Sequence, residues 1–119
     1  MTDHPITIER NPNRVQVRTN GTLIAETSDA LTLREAGYPP VQYIPRADVD
    51  MTRLKRSDHA TYCPYKGDAA YFDVVALGDK GKNAVWTYEQ PYAVAVEIAG
   101  HLAFYPNIVS LVEVGRASA

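Results

Sequence analysis

The chain has 119 residues, 45% of them hydrophobic, with 12 basic and 14 acidic side chains and a formal charge of -2. That length and apolar content suit one domain, 1–119, built on one core, and the near balance of charge argues against nucleic acid and anionic membrane as partners. The single cysteine excludes an internal disulfide. Asp3, His4 and Pro5 do not suit a signal peptide, and Pro39, Glu89, Pro91, His101 and Pro106 cut every apolar run short of the roughly 20 residues that cross a bilayer, so a cytoplasmic location is expected.

Arg14 to Thr19 alternates apolar and polar residues, Asn20-Gly21 offers the two positive-φ positions of a type I′ turn, and Thr22 to Thr27 returns as the partner strand. A two-residue loop sets Val17 opposite Ile24 and Val15 opposite Glu26, with Val17 and Ile24 facing inward. Ala30 to Glu35 alternates again and puts Leu31, Leu33 and Glu35 on one face, so Glu35 is expected to point inward. Gly37, Pro39 and Pro40 break the pattern, Val41 to Ile44 resumes it, and Asp48 is placed to cap a helical turn that reaches Leu54.

Asp58 to Tyr62 and Ala69 to Leu77 read as strands on either side of the turn Cys63-Pro64-Tyr65-Lys66-Gly67, where proline and glycine fix the shape that presents a thiol, a phenol and an amine. His59, Thr61 and Cys63 share a strand face. After a turn at Gly78 to Gly81, Asn83 to Tyr88 is a further strand with Trp86 and Tyr88 on the same side. Tyr92 to Ala99 fits helical and strand spacing equally, and Pro91 before it with Gly100 after it favours a short helix. His101 to Tyr105 and Ile108 to Val114 close the set of strands, and 115–119 reads as a flexible tail. About eight short strands predict a mainly β protein: a compact antiparallel sandwich, roll or partly closed barrel with one or two short helices.

Glu35, Tyr43-Ile44-Pro45, Asp48-Val49, Thr61, the Cys63 to Gly67 turn with Ala69 and Tyr71, then Trp86, Tyr88 and Pro91, and last Ile98, Gly100, Phe104 and Tyr105 resemble the domain-of-unknown-function 427 family. The likeness spans most of the chain, and Cys-Pro-Tyr-Lys-Gly followed by Trp-x-Tyr-x-x-Pro is its most specific part. It implies a small β fold and a nucleotidyltransferase-like label carried by some members, but no established activity. Nucleotidyl transfer needs clustered carboxylates for a divalent metal and a glycine-rich or basic cradle for the triphosphate. Asp48 and Asp50 are weak metal candidates, with no Gly-Ser turn before them and no P-loop pattern in the chain. Two nearby aspartates at a helix start are more often caps and dipole partners.

The candidate ligand-binding residues are Glu35, Tyr43, Cys63, Tyr65, Lys66, Trp86 and Tyr88. An inward carboxylate needs a partner, and Lys66, Arg53 or a tyrosine hydroxyl can supply it. Lys66 reads either as a cation for a carboxylate or phosphate ligand, or as an amine if desolvated, or else as a solvated turn lysine or a partner to the inward Glu35. Cys63 reads either as a nucleophile or sensor activated by Lys66, or as a buried thiol that packs like a small apolar residue. His59 lies about 13 Å along the same strand, too far to activate it. Tyr43, Tyr71, Trp86 and Tyr88 form either a pocket wall or plain cross-strand packing. His4 is assigned to a mobile terminus, and no histidine or cysteine pair has metal-ligand spacing, so neither zinc nor any other cofactor is expected. These residues support binding of a small polar or anionic molecule near the Cys63 to Gly67 turn. The alternatives are an interaction module or homodimer without catalysis, and a group-transfer enzyme using Glu35, Cys63 and Lys66.

Overall fold

The computed structural model describes residues 4–116. It is mainly β, with ten strands: β1 (Ile6–Arg10), β2 (Asn13–Thr19), β3 (Thr22–Thr27), β4 (Leu31–Glu35), β5 (Val41–Tyr43), β6 (Leu54–Cys63), β7 (Gly67–Val74), β8 (Val85–Thr87), β9 (Ala103–Phe104) and β10 (Ser110–Arg116). Four 3-10 segments interrupt them: η1 (Arg46–Asp48), η2 (Met51–Arg53), η3 (Val75–Gly81) and η4 (Ala93–Ile98). Among the described residues no helix is long and apolar enough to cross a membrane.

The strands pair antiparallel in three sheets, ordered β1-β4-β5, β10-β2-β3 and β6-β7-β8-β9. The backbones of Ile44 and Leu102 exchange two hydrogen bonds of 2.8 Å, which joins the β5 end of the first sheet to the β9 end of the third. The result is one curled surface running from β1 through β9 to β6, with β10-β2-β3 packed against it. The curl stops short of a closed barrel.

Two cores fill the fold. Val15, Val17 and Ile24 from the β10-β2-β3 sheet meet Ile44, Leu54, Phe72, Val74, Val85 and Leu102 in a mostly aliphatic core. On the inner side of the curl lies a second, tyrosine-rich core that contains Leu33, Tyr43, Tyr71, Tyr88, Ala95 and Ile98.

The β2–β3 hairpin forms as its sequence requires at the tip, where Asn20 (φ 50°) and Gly21 (φ 80°) take the positive-φ positions. Its register differs further out. Arg18 faces Leu23, but Val17 faces Ala25 and Val15 faces Thr27, because Ile24 is an extra residue in β3. A bulge lets two successive side chains turn the same way, and Ile24 and Ala25 are both buried. The outer edge of β3 explains the shift, since the Ile24 carbonyl accepts from the Asp50 N–H at 2.8 Å and Ala25 bridges to Val49.

Two further expectations are corrected, and one strand had no counterpart among them. The cap of the turn before Leu54 is Asp50, whose carboxylate accepts from the Thr52 N–H at 3.1 Å. Asp48 instead ends η1 and accepts from the Thr27 hydroxyl at 2.7 Å. Gly115 and Arg116 belong to β10, where Arg116 pairs with Asn13, so this part of the expected tail is a strand; residues 117–119 lie outside the described residues. The alternating Ile6-Thr7-Ile8 run, which carries no turn signal of its own, forms β1 against β4.

Candidate functional site

Glu35 ends β4 and Lys66 precedes β7, two strands far apart in the order of the curled surface, yet Lys66 Nζ donates to Glu35 Oε1 at 2.6 Å. The pair therefore ties the open ends of the curl together. The turn that carries Lys66 is built for this placement. Pro64 holds the first corner, the Cys63 carbonyl accepts from the Lys66 N–H at 3.3 Å, and Gly67 at φ 106° turns the chain into β7 opposite Cys63. The Lys66 carbonyl then accepts from the Tyr92 N–H at 2.9 Å, fixing the turn to the start of η4.

The side chains of Glu35 and Lys66 retain only 10% and 9% exposure. Burial alone would raise the Glu35 carboxyl, but the hydrogen bonds and charges of Lys66 and His4 outweigh it and hold the group below the usual carboxylate range. His4 takes the second oxygen, with Nε2 at 2.5 Å from Glu35 Oε2, and its ring stacks on Tyr65 at 3.7 Å and 9°. His4 is thus part of this cluster rather than of a mobile end. Arg53, the other cation considered for Glu35, lies against Asp50 at 3.5 Å.

This pair forms one end of a cavity of about 480 Å³. Glu35, Tyr43, Cys63, Tyr65, Lys66, Trp86 and Tyr88 all line it, so the seven residues singled out from the sequence face one hollow. Tyr38, Pro39, Tyr62, Tyr71 and Tyr105 also line it. The floor is held by polar handles on aromatic rings: Trp86 Nε1 donates to Tyr43 Oη at 3.1 Å, and Tyr71 Oη shares a hydrogen bond of 3.0 Å with Thr61 Oγ1. Trp86 also leans on Tyr105 with ring centres 4.5 Å apart. Lys66 Nζ stands 5.7 Å from the centre of the Tyr88 ring, within cation–π range. Burial is the main cause that pushes the phenols of Tyr43 and Tyr88 far above the ordinary tyrosine value, so both stay neutral.

Cys63 is half-buried in this wall, and the cation expected beside its thiol is committed to Glu35. His59 packs its ring 4.6 Å from that of Tyr71. Asp48 and Asp50 stand outside the cavity, engaged by Thr27, Thr52 and Arg53, and among the described residues no group of three His, Cys, Asp or Glu side chains is placed to hold a metal. His4, Tyr38, Tyr62 and Tyr105 are the participants that the sequence reading missed. The one available signal was that aromatic residues beside proline, as in Tyr38-Pro39-Pro40 and Tyr105-Pro106, sit at strand ends where a cavity opens.

The Domain of unknown function (DUF427) family profile matches residues 7–115. The chain belongs to the DUF427 family. No curated protein matches it. The DUF427 match takes in β4 and the Cys63–Gly67 turn and every residue that lines the cavity, whereas His4, which pairs with Glu35, lies before it.

Proposed function

We propose that this DUF427 protein binds a small polar molecule in the aromatic cavity, with the ligand's polar head on Glu35 and Lys66. The observation that carries this reading is a nine-tenths buried ion pair set in the wall of a hollow of about 480 Å³ otherwise lined largely by aromatic rings. Pockets of that size with a few convergent polar groups are the usual form of small-molecule sites. Lys66 has two further N–H donors and each Glu35 oxygen a further lone pair, so the pair offers donor and acceptor side by side. Because the two charges cancel, the site favours a head that is neutral overall, such as an amide, over the fully anionic ligand that an unpaired lysine would have suited.

Group transfer by Glu35, Cys63 and Lys66 draws less support. A carboxylate held below its ordinary range is a weak base, and the lysine that would activate the thiol is engaged elsewhere. One observation favours an interaction surface as the second reading: Tyr62 on β6, a ten-residue edge strand, is exposed beside Tyr92, and Val94 and Val96 of η4 are exposed as well, a surface that would suit a homodimer partner.

A thermal-shift screen of sugars, nucleotides, acyl and amino-acid metabolites on wild type and Lys66→Met tests the first reading. A true ligand raises the wild-type melting temperature by mass action and loses that shift in the variant. A shift of equal size in both proteins removes the pair from the site.

A further inference from the structure

A second cavity of about 310 Å³ adjoins the first and shares Tyr38, Pro39, Val41, Trp86 and Tyr105 with it. Its remaining wall is Pro40, Gln42, Phe104, Pro106 and Leu111. The two hollows thus have the five shared residues as a common wall, in which the Trp86 and Tyr105 ring centres lie 4.5 Å apart. Their chemistry differs. The first holds the buried ion pair, whereas among the described residues no charged one lines the second. In the common wall Trp86 Nε1 donates to Tyr43, and in the second hollow Gln42 Oε1 accepts from both Asn11 and Thr32.

We infer that the two hollows form one bipartite site whose ligand joins a compact, overall neutral head at Glu35–Lys66 to a slim apolar arm lying between Trp86, Pro106 and Leu111. This rests on the cavity being a ligand site, as proposed above. The head supplies orientation, because hydrogen bonds to a desolvated ion pair are directional. The arm supplies affinity by removing apolar surface from water on both sides. A molecule with the head alone leaves the second hollow wet, and an apolar molecule alone leaves the ion pair without a complement.

Titrations followed by the emission of Trp86, the one tryptophan, test the inference directly. The probes are benzamide, 4-butylbenzamide, 4-butylbenzoate and 4-butylbenzylammonium, which separate the arm from the charge of the head. 4-Butylbenzamide should bind about tenfold tighter than benzamide or better, since each fully buried methylene contributes about fourfold. It should also bind better than both charged analogues, and Leu111→Gln should remove the gain from the butyl arm while leaving benzamide affinity unchanged.

Equal affinity of the two amides overturns the inference and leaves the ligand site standing, as does an arm gain that survives in folded Leu111→Gln. A charged analogue that matches or exceeds the amide overturns the neutral head. Failure of all four probes, joined to a metabolite screen without a hit, overturns the ligand site itself. Should Leu111→Gln not fold, the comparison of the two amides on wild type decides the matter.

Discussion

The two cores of this protein solve different problems with different residues. Around Val15, Val17, Ile44, Val74 and Leu102, all 1% exposed or less, the packing is mostly aliphatic, and among the described residues no carboxylate or ammonium belongs to it. Around Tyr43, Tyr71 and Tyr88 the side chains are large, rigid and tipped with hydroxyls, and they enclose a hollow rather than filling it. Aliphatic side chains interdigitate to high density, whereas rings that must each satisfy an O–H or N–H are held at fixed angles and leave space between them. Dense packing is concentrated on one side of the curled surface and the hollow on the other.

The sharpest way to break this division is to cut each side and compare. Leu102→Ala, in the aliphatic core at 0% exposure, should cost about 2–5 kcal/mol in urea unfolding, the range for a large core truncation. Lys66→Met should cost less, about 1–3 kcal/mol, because Glu35 loses its main partner but keeps His4. Adding Glu35→Leu should return much of that loss, since a buried pair replaced as a unit is often neutral for stability. A Lys66→Met cost equal to that of Leu102→Ala would show that the ion pair is a structural element of the same rank as the core.

Acid provides a finer cut. The Glu35 carboxyl lies below its model-compound value of 4.5 in the folded state, so the folded protein binds this proton less readily than the unfolded chain. Its contribution is therefore fully present above about pH 4.5 and is lost as pH falls through the lowered folded value. The pH dependence of unfolding should flatten in this acid window for Glu35→Gln and persist unchanged for Leu102→Ala. Trp86→Phe follows, at about 1 kcal/mol, for the hydrogen bond to Tyr43 that it removes. The smallest effect is expected for His4→Ala, under about 1 kcal/mol in the same unfolding measurement.

The sequence revealed the tyrosine-rich side better than its architecture would suggest. Glu35 could be placed inward because the alternation from Leu31 through Leu33 is unbroken, and a carboxylate on that face demands a cation. The compact Cys63–Gly67 turn then named Lys66, and period two named Trp86 with Tyr88. What escaped detection depends on contacts that cross the chain. Local pattern does not bring His4 to Tyr65, or Tyr105 to Trp86, because those meetings follow from the curl of the sheet. The β3 bulge escaped for a similar reason: residues 20 and 21 fix the tip of the hairpin, but Val49 and Asp50 on its far edge fix the register beyond it. Asp48 and Asp50 are alike in sequence and exchange roles only because Thr27 stands opposite the first.

The bond between Lys66 and Glu35 joins two rims of the curl through side chains alone, while the strands behind them are stitched by backbone ladders. Parting those two side chains would leave every backbone ladder paired. The charges at this end of the hollow can therefore change partners while the strands behind them keep their register.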